Sequence, residues 1–236
     1  MKIKDIFIDT IIPYMSEKEF EWKKSSDTFV FDNKKWKFEC VLHFIKRNEV
    51  TSISTKFYIV SKEIDAFLKK AKIENLYRTT CGGETKSLYN FFNLTYPHKY
   101  HNLIVDETCM DENINLWIND FELVGLPFFK EFANLNKIEN LFNSLPKEQS
   151  SFININAVNS AIKGIIVNYL VYNDKEIVME LLDRYESQVK DYSSYLFLSL
   201  EILKKYINRC SCPVPPHYKC GGTGSATTPT NIPWQK

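Results

Sequence analysis

The chain reads as an α+β protein: an antiparallel sheet with flanking helices, then a C-terminal helical segment and an irregular Cys/Pro/Gly-rich tail. Three observations predict this. Residues 27 to 60 alternate apolar and polar side chains at period two, the mark of half-buried strands. Residues 152 to 207 repeat their apolar side chains at helical intervals, among them Ile165, Tyr169, Leu181, Leu182, Leu200 and Leu203. Residues 210 to 236 carry Pro213, Pro215, Pro216, Gly221, Gly222 and Gly224, which excludes long helix or strand. The expected organisation is an α+β domain over 1–146, a helical extension packed on it over 147–209, and a candidate zinc knuckle with a flexible tail over 210–236.

In chain order, Ile3, Ile6, Ile11 and Met15 among charged neighbours predict a short amphipathic helix over 2–15, ending after Pro13. Strands follow at 27–32, where Phe29 and Phe31 alternate, and at 36–46, where Trp36, Phe38, Cys40 and Leu42 do. Asp32-Asn33-Lys34-Lys35 supplies the turn between them. Residues 51–60, rich in β-branched and aromatic side chains, give a third strand. Ser61 starts a helix over 61–72 that sets Ile64, Phe67, Leu68 and Ala71 on one face. Leu76-Tyr77-Arg78, the run from Leu88 to Leu94 and the run from Leu103 to Val105 are candidate strands, with Cys81-Gly82-Gly83 read as a turn among them. Ile114, Trp117, Ile118 and Phe121 mark a helix that Gly125 stops. Leu126-Pro127-Phe128-Phe129 starts the next, which ends near Asn134, and a short helix from Asn136 to Leu145 is closed by Pro146. Three consecutive helices then fill 152–207, broken at Asn173-Asp174 and again at Asp191-Tyr192-Ser193.

Composition narrows the function classes. The 236 residues are 44% apolar, enough to bury a core, and 17 Phe and 13 Tyr supply large contact areas without needing a cofactor to explain them. Seven glycines weigh against glycine-rich nucleotide loops. Thirty basic and 29 acidic residues give a net charge of +1, which offers no general attraction to a polyanion. Lys23, Lys24, Lys34, Lys35 and Lys37 make a local basic group, read as a solvated hairpin face. No segment approaches the ~20 apolar residues of a membrane span, and the start lacks the features of a signal peptide. The expectation is a cytoplasmic protein whose six cysteines are reduced thiols or metal ligands.

Ile11-Ile12-Pro13-Tyr14-Met15 with Phe20, then Phe29-Val30-Phe31 and Trp36-Lys37-Phe38, resemble the opening of a bacterial domain-of-unknown-function family (number 4304). Glu19 stands where that family prefers glycine, and Leu126-Pro127-Phe128-Phe129 resembles its proline–aromatic helix start. The resemblance covers residues 1–146. It implies an α+β fold and no known activity.

One group of soft ligands is dense. Cys210, Cys212, His217 and Cys220 fall within eleven residues, and zinc takes four such ligands tetrahedrally. A closed set of this kind would be structural. The Cys-x-Cys pair and the later Tyr218-Lys219-Cys220 also resemble the SEC-C zinc motif of bacterial protein ends, although Pro213-Val214-Pro215-Pro216 replaces its glycine turn. The competing reading is a loose tail with free thiols.

Other constellations are weaker. Cys81 with His98 and His101 could form a cryptic Cys/His site, which needs the thiol and an imidazole to meet. Asp106, Glu107, Asp111 and Glu112 are read as solvated loop acids, and Trp36 and Trp117 as core. The leading functional expectation is a non-enzymatic interaction module of the immunity or antitoxin type, which binds and neutralises a protein partner such as a toxin. The alternatives are an enzyme or enzyme accessory using the Cys81/His98/His101 set, and a nucleic-acid-associated zinc-knuckle protein.

Overall fold

Alternating side chains do produce a sheet, and its six strands are all antiparallel to their neighbours. The computed structural model describes residues 3–47, 50–74, 76–98, 103–106, 108–145, 157–189 and 194–209. Helix α1 (Ile3–Glu17) precedes β1 (Glu21–Lys23), β2 (Thr28–Asp32), β3 (Trp36–Arg47) and β4 (Val50–Ser61), which pair in that order. Long β4 then carries two short strands on its far side. β5 (Cys81–Glu84) pairs with residues 56–59 and β6 (Leu103–Val105) with residues 51–53.

The inner face of this sheet is aromatic. Register sets Phe31 beside Phe38, Phe29 beside Cys40 and Phe57, and Phe44 beside Ile53. Helix α4 (Met110–Asp120), a π-helical segment (Phe121–Gly125) and α5 (Leu126–Phe132) supply Trp117, Phe121 and Phe129 against them. Phe38 stacks on Phe129 with centroids 4.9 Å apart, and Trp117 stacks on Phe121 at 5.7 Å. Trp117 also donates its indole N–H to Thr55 Oγ1 at 3.0 Å, so both predicted core tryptophans are buried and this one has its polar atom satisfied.

Helix α2 (Lys62–Ala71) begins as expected: Ser61 Oγ accepts from the Ile64 amide, and Lys72 closes the helix in the left-handed region. α3 (Thr85–Phe91) and α6 (Leu135–Asn143) follow, then α7 (Ala157–Tyr172), α8 (Lys175–Val189) and α9 (Ser194–Arg209). The last three pack on α6 and α2. Phe67 of α2 meets Tyr169 of α7 at 5.8 Å and Tyr206 of α9 at 5.2 Å, so one apolar core runs from Phe7 to Ile207.

Five local expectations are corrected. α1 continues through Pro13 because that ring lies on the exposed side, where the freed Asp9 carbonyl can turn to water. Leu76–Arg78 forms no strand, and the run from Leu88 to Leu94 is mostly helix α3, which buries Leu88, Tyr89 and Phe91. Cys81-Gly82-Gly83 is strand, not turn. A Cβ on Gly82 would stand 2.3 Å from both the Phe57 carbonyl oxygen and Tyr58 Cδ1, so glycine serves close packing there. Gly125 does not stop α4: the chain widens into the π segment and runs straight into α5, and a Cβ on Gly125 would lie 2.7 Å from the Phe57 ring.

Candidate functional site

The outer face of the sheet is the first candidate. Register arranges its side chains in rows across the strands. Ile45, Ser52 and Ile104 form one, His43 and Ser54 the next, then Val41, Lys56 and Glu84, then Glu39 and Tyr58. Ile45 is 45% exposed and Ile104 37%, while Val41, Lys56 and Tyr58 are half-buried. A cleft of about 440 Å³ crosses these rows, lined by His43, Ile45, Ser54, Lys56, Glu84 and, from the β1–β2 turn, Asp27. Asp27 is fixed by Lys4, whose Nζ lies 2.6 Å from its Oδ1 and over the Phe44 ring at 5.3 Å.

Charges on this face are largely paired within it. Lys56 meets Glu84 at 3.3 Å, Lys37 pairs with Glu39, Lys62 with Asp32, and Lys23 reaches Glu21 at 2.5 Å. Two of these pairs, those of Lys23 and Lys37, take up cations of the basic hairpin group. Partial burial pushes the Tyr58 hydroxyl up, against the lowering effect of Lys56.

The second candidate is a buried polar cluster at the end of α4. Asp120, 5% exposed, accepts from Tyr89 Oη at 2.8 Å through Oδ1 and meets His98 Nε2 at 2.7 Å through Oδ2. Tyr96 closes over the imidazole at 5.0 Å between ring centroids. Burial raises the Asp120 carboxyl, although the Tyr89 and His98 contacts pull it the other way. Burial and the Asp120 contact also push Tyr89 up. Asp120 immediately precedes the π segment, and Tyr14 Oη donates to Glu122 in that segment at 2.7 Å. Both oxygens of Asp120 are occupied, so the cluster fastens α3, the 92–98 connection and α4 together.

Of the proposed Cys/His set, Cys81 and His98 lie within the described residues. His98 is engaged with Asp120, whereas the fully buried Cys81 has Lys163 as its charged neighbour, and burial raises its thiol well out of the reactive range. His101 lies outside the described residues, as do Cys210, Cys212, His217 and Cys220, so the zinc site remains a sequence expectation. Among the described residues no group of three or more His, Cys, Asp or Glu side chains could hold a metal ion. Of the predicted loop acids, Glu107 lies outside the described residues and the other three are accounted for locally. Asp106 Oδ1 accepts from the Thr108 amide and hydroxyl and from the Cys109 amide, which holds it near 2. Asp111 and Glu112 sit in the first turn of α4, where the helix dipole favours them.

Sequence reasoning missed Lys163, a lysine inside an apolar helical run. Its side chain is fully buried, and its ammonium donates to the Tyr77 carbonyl at 2.5 Å and to that of Thr79. Burial lowers it to about 8. Its signal was the run of apolar residues on both sides of it in α7, Ala161-Ile162 before and Ile165-Ile166-Val167 after, which leaves little solvated face for a cation. No protein-family model, curated protein or solved structure matches the chain.

Proposed function

We propose that this chain is a non-enzymatic binding protein that recognises another protein through the outer face of its sheet, in the manner of an immunity or antitoxin protein that neutralises its target. The observation that carries the reading is the row pattern: exposed Ile45 and Ile104 at one end of the face, with half-buried Val41 and Tyr58 two and three rows along it, interrupted by internally paired charges and crossed by a cleft. Apolar and tyrosine area rimmed by polar groups is what specific interfaces use. The Asp120 cluster is inward-facing with both carboxylate oxygens engaged, which supports a structural rather than a chemical role for it. Cys40, Cys81 and Cys109 are free thiols, and among the described residues no helix is long and apolar enough to cross a membrane. The free thiols support a cytoplasmic setting.

The test is capture of partners from the source cell by tagged full-length chain, compared with Ile45→Lys/Ile104→Lys. Both substituted positions are exposed, so the variant should fold with an unchanged circular-dichroism spectrum. A protein captured stoichiometrically by the parent and lost by the variant is the expected result. Equal capture by both, or none by either, removes the reading.

A further inference from the structure

The seam between α6 and α7 contains a buried carboxylate with neutral partners only. Glu139 is 6% exposed. Its Oε1 accepts from Asn143 Nδ2 at 3.1 Å and from Asn168 Nδ2 at 2.9 Å, and its Oε2 has only a long contact, 3.4 Å, to Tyr172 Oη. Among the described residues no lysine, arginine or histidine forms an ion pair with it. The second defect lies on the residue beside it. Asn168 is 5% exposed, and its Oδ1 is buried without a hydrogen-bond partner. Because Nδ2 of that amide donates to Glu139 Oε1, the orphaned oxygen belongs to a group anchored on the carboxylate.

The surrounding groups fix Asn143, and through it Glu139 Oε1. Asn143 Nδ2 also donates to the Gly164 carbonyl at 3.0 Å, and Tyr185 Oη donates to Asn143 Oδ1 at 3.0 Å. Gly164 permits this approach: a Cβ there would come within 2.8 Å of Asn143 Oδ1. Tyr172 is exposed, so the Oε2 side of the seam reaches the surface.

An unneutralised buried carboxylate and an orphaned buried carbonyl are each costly. A single positive centre bound by oxygen would relieve both. We propose that Glu139 Oε2 and Asn168 Oδ1 form part of a site for a monovalent metal cation, sodium or potassium. One carboxylate with otherwise neutral oxygens suits a single charge. Calcium sites gather several carboxylates, and magnesium keeps most of its water. The site would tie α6 to α7 and hence the helical extension to the sheet-bearing part. It is independent of the outer sheet face.

Thermal unfolding of the full chain tests this in sodium, potassium and choline chlorides at equal ionic strength. The expected result is a saturable rise in Tm of about 3–6 °C at tenfold excess over Kd with sodium or potassium relative to choline. Glu139→Gln should abolish that increment. As a measurement needing no variant, ²³Na resonance broadening by the native protein should be reversed by potassium. Identical Tm values in the three salts without sodium broadening overturn the proposal, and so does an undiminished increment in Glu139→Gln. Stabilisation by calcium or magnesium alone also overturns it.

Discussion

Lys163 shows how one side chain can be fitted to a fold at a cost that depends on pH. Its ammonium secures two backbone carbonyls, of Tyr77 and Thr79, that strand pairing does not use. Its folded value is about 8, whereas the unfolded chain returns it to 10.5. Between those values the unfolded state holds the extra proton, so this group makes stability rise as pH rises from about 8 to 10.5. Below that window the buried charge carries its full penalty. Lys163→Met keeps the bulk and removes both the charge and the donor. Denaturant unfolding should show a small loss near neutral pH. Toward the top of the window the loss should grow by about 3 kcal/mol, the linkage energy between a folded value of about 8 and an unfolded value of 10.5. Comparison with the variant cancels titrations common to both proteins. A difference that stays flat across the window would mean that Lys163 is not held as described. Glu19 makes a related point without titration: its φ of 63° puts a non-glycine residue in the left-handed region.

At the scale of elements, what the sequence revealed was whatever period alone determines. β2, β3, β4 and α2 fall within about one residue of their expected limits, because half-buried faces impose a strict spacing. The misread pieces are short and governed by tertiary contact. β5 is four residues, two of them glycine, and exists because β4 offers it an edge and Tyr58 covers Gly82. The π segment was invisible because Gly125 looks the same whether it ends a helix or admits the Phe57 ring. The outer face was half legible: alternation marks which residues face outward, but the rows joining Ile45 to Ile104 need the β4–β6 register, which no local pattern encodes. Asp120 with Tyr89 and His98 was not legible, since the three sit on separate elements. Gly82→Ala tests the close-packing account. Its Cβ would meet backbone at 2.3 Å, so β5 must move off β4. A loss of about 3 kcal/mol in chemical denaturation is expected, with the β5 amides exchanging fastest. A stability change under half a kilocalorie would show that glycine at this position is incidental.

Over the whole molecule, the decisive feature is that the sheet-bearing part and the C-terminal helices share one core. Phe67 is clasped by Tyr169 and Tyr206, and Ile138 and Leu141 of α6 are buried in the cluster that includes Ile165 and Leu182. Residues 1–146 and 147–209 were separated by their sequence periods, yet α2 and α6 spend their apolar faces on the later helices. A chain divided there would expose both faces to water, at ~25 cal/mol for every Å² of apolar surface. The intact protein should therefore unfold in a single transition. Trp22, Trp36 and Trp117 report on the sheet side, and replacing Trp234 with Phe leaves fluorescence to those three alone. Far-UV circular dichroism reports mainly on the helices. Urea midpoints from the two probes should coincide, and a chain cut after Leu145 should unfold at a clearly lower urea concentration or aggregate. Two separated midpoints, or a shortened chain as stable as the parent, would mean that the helical extension is an independent unit and that the shared core contributes little to either part.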